Sequence, residues 1–185
     1  MSTYKTILLL VMVIPFSGFH LKKQESGQFK FSPQESTITW KIIGDGYEGK
    51  IGLARGSIDI DYGRLNALDL KLDLDELSVV IPEKEKKQQK IIKDLRAEKN
   101  LNAELHPDIS FKLTKASQKP DDEGWSIFEV TGRLIIKGIY EDITFPLMVK
   151  IDGEQVTATG QFSARAARWE LKEDIYFALD LHGSR

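Results

Sequence analysis

The sequence contains no cysteine. That one absence removes a disulfide scaffold, a thiolate metal site, a cysteine nucleophile and a lipidated N-terminal cysteine together. Charge of one sign is also missing: 26 basic residues stand against 28 acidic ones, for a formal net charge of −2. No global positive field therefore recommends nucleic acid as a partner. No apolar run reaches the roughly twenty residues that a membrane-spanning helix needs. The short motifs of common enzymes are absent too. There is no G-x-S-x-G elbow, phosphate-binding loop, H-E-x-x-H helix or EF-hand loop, which takes away the usual signatures of hydrolase, nucleotide and calcium chemistry.

What is present begins with an N-terminal address. Lys5 precedes the apolar run Ile7 to Ile14, which Pro15 breaks and Ser17 and Gly18 follow. Charge, short apolar core and small residues in that order make an export signal. Residues 1–20 are expected to be a signal peptide and 21–28 a loose lead-in. The remainder, 29–182, is long enough for one well-buried domain and short for two. The expected compartment is periplasmic or extracellular.

Within that domain the dominant pattern has a period of two. Leu68-Asp69-Leu70-Lys71-Leu72-Asp73-Leu74-Asp75 puts four leucines on one face and four charges on the other. Such a strand is buried on one side and wet on the other, as in an antiparallel sheet. The same alternation carries Ile38, Trp40 and Ile42; Ile109, Phe111 and Leu113; Phe128, Val130, Leu134 and Ile136; Phe145, Leu147 and Val149; and Phe177, Leu179 and Leu181. Gly44-Asp45-Gly46 and Asp152-Gly153 are turn signals, the second making a two-residue hairpin. Gly49, Gly52 and Gly132 inside strands point to bends, bulges or close approach of another backbone. One segment changes period. Residues 83–102 are rich in Glu, Lys, Gln and Leu, with Ile91, Ile92 and Leu95 as a thin apolar stripe and Asn100 or Asn102 as a stop; this predicts a single helix. The expected fold is all-β, with eight or nine strands and one inserted helix. Regular spacing favours a closed barrel over a sandwich.

Two stretches carry a resemblance. Leu105-His106-Pro107-Asp108-Ile109-Ser110-Phe111 opens a strand, and Val130-Thr131-Gly132-Arg133-Leu134-Ile135-Ile136-Lys137-Gly138-Ile139 forms a strand and turn after a loop. This pair, in this order, resembles the YceI-like family of secreted polyisoprenoid-binding proteins over roughly Phe29 to Leu181. The resemblance implies an antiparallel eight-stranded lipocalin-like barrel that holds an isoprenoid or similar amphiphile in its lumen. Where the family commonly has threonines after V-x-G, this chain has Ile135 and Tyr140. The segment Tyr47 to Gly52 lacks the histidine expected before its glycine.

Read from the residues alone, Trp40, Leu70, Leu72, Phe111, Phe128, Val130, Leu134, Phe145, Leu147, Phe162 and Phe177 are one apolar stripe after another, and a filled barrel would explain them as core. The resemblance makes the same eleven the lining of a ligand lumen. Each buried CH₂ contributes about 0.8 kcal/mol, so twenty carbons gain on the order of 16 kcal/mol gross, against an association cost of about 4–15 kcal/mol. A long chain is therefore held without any charge contact.

Other candidates are weaker. His106 with Asp108 is the single arrangement suited to general-base work, and it supports a periplasmic hydrolase as a minor alternative. Asp59 with Asp61 and Asp73 with Asp75 are explained by the wet faces of their strands. Lys84, Lys86, Lys87, Lys90 and Lys93 form either a solvated helix face or a basic rim for transient contact with a membrane surface. The expected function is lipid binding without catalysis, metal or cofactor. The leading alternative is a filled-barrel interaction module with no small ligand.

Overall fold

The computed structural model describes residues 26–42, 44–80 and 85–185. The expected signal peptide and most of the lead-in lie outside the described residues, as does Lys84. Nine strands are present: β1 (Gly27–Phe31), β2 (Thr37–Ile42), β3 (Tyr47–Asp61), β4 (Arg64–Asp73), β5 (Asp108–Gln118), β6 (Ser126–Ile136), β7 (Ile139–Asp152), β8 (Gln155–Ala164) and β9 (Ile175–Ser184). Helix α1 spans Glu85–Arg96 and the short α2 spans Ala166–Trp169; Leu74–Glu76 form a 3-10 turn.

All pairings are antiparallel, and they close on themselves through β3–β4. Nine strands fill eight places because β1 and β2 share one. β2 pairs with the first part of β3, Tyr47–Ile51, while β1 pairs with its second part, Gly56–Ile60. On the other side both pair with β9, β2 along Ile175–Asp180 and β1 at Gly183 and Ser184. The turn at Ser32–Ser36 that divides them is tied to β9 by the Ser32 N–H donating to the His182 carbonyl. The result is the expected eight-stranded closed barrel, in which full closure leaves no free edge to pair with another chain.

Closure demands curvature, and the glycines supply it. A Cβ at Gly132 on β6 would collide with the Phe111 ring and the Lys112 carbonyl, so only glycine leaves room for the ring at this place. A Cβ at Gly49 on β3 would meet the Ser78 carbonyl. There the segment after the 3-10 turn crosses β3, with the Ser78 N–H on the Lys50 carbonyl and the Val80 N–H on the Glu48 carbonyl. Register shifts at Leu53/Arg55 and at Leu113/Lys115 are bulges that add twist.

The helix is shorter than expected. α1 ends at Arg96, and residues 97–103 fold back on it: the Leu101 N–H donates to the Leu95 carbonyl, and the Asn100 side-chain amide to the Asp94 carbonyl at 2.7 Å. Asn102 takes a left-handed φ of 49°, a conformation asparagine tolerates better than most residues. Ile91 and Leu95 face inward. Arg96 fastens the helix to the barrel, donating to the Leu74 carbonyl at 2.6 Å and to Asp75. The helix, the β2–β3 loop, the β6–β7 turn and the β8–β9 loop gather at one end of the barrel. That end is the mouth.

His182 lies within β9, with Nε2 at 3.0 Å from Asp180. The Asp152 turn is shifted by one residue, with Gly153 and Glu154 as its loop and Gly153 at a φ of 61°.

Candidate functional site: a barrel interior and its mouth

Alternation turns each strand's apolar face into the barrel, so the interior follows from the pattern already described. All eleven residues expected to line the lumen are buried, among them Val130, Leu134 and Leu147 at 0% exposure. The strands bring them together as one continuous core. Among the described residues the sole buried polar side chain is Asn100, and it sits at the mouth. The barrel interior therefore offers hydrocarbon and nothing that could orient a polar molecule.

Aromatic rings pack against one another in part of that interior. Four phenylalanines from four strands pack in series: Phe111 against Phe145 at 5.3 Å between ring centroids, Phe145 against Phe162 at 5.2 Å, and Phe162 against Phe177 at 5.0 Å. These separations are those of favourable offset and edge contacts. A void does exist under the helix, bordered by Trp40, Ile51, Leu77, Leu95, Leu101, Ile109, Ile175 and Phe177, but its volume is about 10 Å³, room for about one water.

Above the void, at the mouth, lies a groove of about 500 Å³. One wall is α1, whose residues Lys87, Lys90, Ile91, Asp94 and Leu95 share a face at helical spacing. The opposite wall is the rim formed by Ile42, Asp45, Tyr47, Leu171, Lys172, Glu173 and Ile175. Lys172 lies 3.8 Å from Asp45 and 3.7 Å from Glu173, and Lys99 lies 3.6 Å from Asp94. Trp40 stands just below, buried, its indole N–H shared between the Lys50 and Ser78 carbonyls at 3.3 and 3.1 Å. The apolar stripe of α1 was visible in the sequence. The rim at 171–175 was not, because nothing in an irregular charged loop reveals which helix it will face.

The other candidates separate. Asp108 is bound to Lys71 at 2.8 Å, which takes it away from the general-base pair expected with His106. His106 instead packs its ring on the Gly138 turn. The hydrolase alternative thus loses the one dyad it was built on. Asp73 accepts the Asp75 N–H at 2.8 Å, and Asp75 in turn binds Arg96; these carboxylates hold the chain in place. Among the described residues no group of three histidine or acidic side chains is placed to hold a metal ion. Ile135 and Tyr140, the departures from the family pattern, oppose one another across β6 and β7 on the outer wall, where they do not touch the interior. Of the basic rim, Lys86, Lys87, Lys90 and Lys93 are on α1, and Lys87 and Lys90 reach the groove.

Comparison with known proteins agrees with this architecture. Burkholderia cenocepacia BcnA superposes with a TM-score of 0.64 at 14% identity, covering 82% of this chain and 98% of its own. A polyisoprenoid-binding domain from Saccharophagus degradans, described as implicated in plant cell wall breakdown, gives 0.58 at 10% identity, with 84% and 97% covered. The Campylobacter jejuni YCEI protein gives 0.54 at 15% identity, with 98% and 99% covered. At such identities these likenesses establish the fold. No curated protein matches the chain. The family model for the YceI-like domain matches residues 29–181, so the chain belongs to the YceI-like family.

Proposed function

We propose that the protein binds a long isoprenoid or similar amphiphile, with its apolar chain inside the barrel, and sequesters or carries it in an exported compartment. The observation that carries this reading is an interior walled by hydrocarbon alone, in a chain of the YceI-like family. A neighbour of the same fold is a polyisoprenoid-binding domain. The eleven interior residues from Trp40 to Phe177 are the proposed lining, and no catalytic step is required of any of them. The export signal expected at residues 1–20 supplies the compartment.

The packed phenylalanines shape how binding happens. A chain enters only if α1 or the ring series gives way, so the competent state is a minor one and its scarcity weakens the apparent affinity. The ring series equally fits the second reading, an interaction module without a small ligand. Titration with an eight-unit polyprenol, followed by tryptophan fluorescence from the buried Trp40, separates the two. Lipid binding predicts saturation at one chain per protein with a spectral shift. An unchanged spectrum, together with no retention of the polyprenol on gel filtration, favours the module.

A further inference from the structure

We propose that a cleft on the outer wall of the barrel docks an extended acidic segment of a partner protein. The cleft runs across β1, β3, β4 and β5 and has a volume of about 510 Å³, within the range of about 300–1,000 Å³ typical of binding pockets. It faces away from the interior, and its role stands whether or not the barrel holds a lipid.

Side-chain size makes the hollow. The lining combines the small residues Gly56, Ser57 and Ser110 with the long, exposed side chains of Lys30, Arg55 and Lys112. On an otherwise convex wall, that difference in length leaves a depression rimmed by cations.

Charge is the second ground. Strand register sets Arg55 directly opposite Lys71, and Lys112 directly opposite Arg133. Like charges in such positions repel one another, and the wall relieves them only in part. Two carboxylates line the cleft, Asp69 and Asp108, and Asp108 is engaged by Lys71 at 2.8 Å. Arg133 lies over the Tyr140 ring at 4.7 Å. The side chains of Lys30, Arg55 and Lys112 make no ion pair or hydrogen bond to any described residue, although Asp69 stands opposite Lys112 in register. Arg55 also follows directly on a register shift in β3, the kind of bulge that re-aims a side chain. A bound anion turns this unrelieved repulsion into charge-assisted hydrogen bonds.

The spread of the cations selects the anion. Neighbouring strands lie about 4.8 Å apart, so Arg55 on β3 and Lys112 on β5 are separated by about 10 Å, and Lys30 on β1 extends the row to about 14 Å. A lone phosphate cannot reach all three. An extended peptide can, because side chains on one of its faces repeat about every 7 Å, and acidic residues at i, i+2 and i+4 span about 14 Å. Phe111, the one aromatic residue in the lining, is 3% exposed, so the cleft lacks the stacking platform that a single nucleic-acid strand uses. A flat bilayer would meet the rim and leave the hollow unfilled.

The test measures binding of fluorescein-labelled Glu-Ser-Glu-Ser-Glu-Ser, and of its counterpart with glutamine for glutamate, by fluorescence anisotropy on the purified protein. The acidic peptide is expected to bind at least tenfold tighter in low salt, with the advantage shrinking in high salt. Arg55→Gln and Lys112→Gln are each expected to weaken it at least threefold. Lys150→Gln, exposed on β7 and outside the lining, should leave it unchanged. Thermal unfolding gives a second readout. Saturating acidic peptide is expected to raise the melting temperature of the wild type and not that of the double variant Arg55→Gln/Lys112→Gln. Without peptide, Arg55→Gln should not lower it, because the substitution removes a repulsion; a lower value would mean that Arg55 holds the wall together and would overturn its assignment to a partner. Equal binding of the two peptides, or binding that survives the double variant, also overturns the proposal. Phosphatidylglycerol vesicles and an oligogalacturonate are the last arms: if either binds in an Arg55- and Lys112-dependent way while the acidic peptide does not, the cleft serves a membrane or an acidic sugar polymer and the inference falls.

Discussion

Truncating Phe145 distinguishes a barrel that must rearrange to admit a ligand from one with a standing cavity. The ring is 3% exposed and lies between Phe111 and Phe162, with its edge against Gly160, which has no side chain to fill in. Phe145→Ala therefore removes a full aromatic from a place that cannot collapse easily, at a cost of about 3–5 kcal/mol. Within that figure, each of the two ring contacts contributes about 0.5–1.5 kcal/mol beyond burial. For a chain of this size each kcal/mol lowers the melting temperature by about 2–4 °C, so a loss on the order of 6–20 °C is expected. The ligand response has a definite sign. If the bound chain displaces the ring, the substitution destabilises the free protein more than the complex, and affinity rises. A difference of 1.4 kcal/mol between the two states is about tenfold in Kd. Urea unfolding with and without an eight-unit polyprenol measures both quantities. A loss below about 1 kcal/mol, or a large loss with weakened binding, would refute the argument, because each outcome means that the ring already borders open space or directly grips the chain.

Further predictions concern other parts of the fold. Gly132→Ala forces the Phe111 ring and the β5 backbone away from β6; a loss of about 1–3 kcal/mol in urea unfolding is expected, and a neutral result would remove the close-approach argument. Arg96→Ala breaks the tie of α1 to Leu74 and Asp75 at a cost of about 0.5–3 kcal/mol. Faster amide exchange confined to α1 and faster lipid uptake are expected, whereas unchanged uptake would show that the helix does not guard the mouth. His106→Ala should leave polyprenol affinity within about twofold, since His106 borders neither the groove nor the void; an altered spectrum of lipid products in its presence would revive the hydrolase alternative.

The barrel was legible because its strands are amphipathic with a strict period. Leu68, Leu70 and Leu72 are buried while Asp69 and Lys71 lie toward solvent, and that alternation can be read from the residues without coordinates. Gly132 was legible as a place of close approach, though not that Phe111 would be the group approaching it. What stayed hidden depends on facts outside any one segment. Alternation is identical for a hollow and a filled barrel, so the packing of Phe111, Phe145, Phe162 and Phe177 had no local sign. The bond between Asp108 and Lys71 joins β5 to β4, and only the register of those strands decides that Asp108 turns to Lys71. The division of one strand place between β1 and β2 arises from the Ser32–Ser36 turn meeting His182, 146 residues from Ser36. The mouth groove needed α1 and the 171–175 rim to face each other, and neither segment encodes the other.

The most direct measurement isolates the folded protein from its native source without added lipid, extracts it with organic solvent and weighs the extract by mass spectrometry. The account predicts a long-chain amphiphile near one molecule per protein, absent from an equally treated control protein of the same compartment. A reproducibly empty extract from folded protein would contradict it.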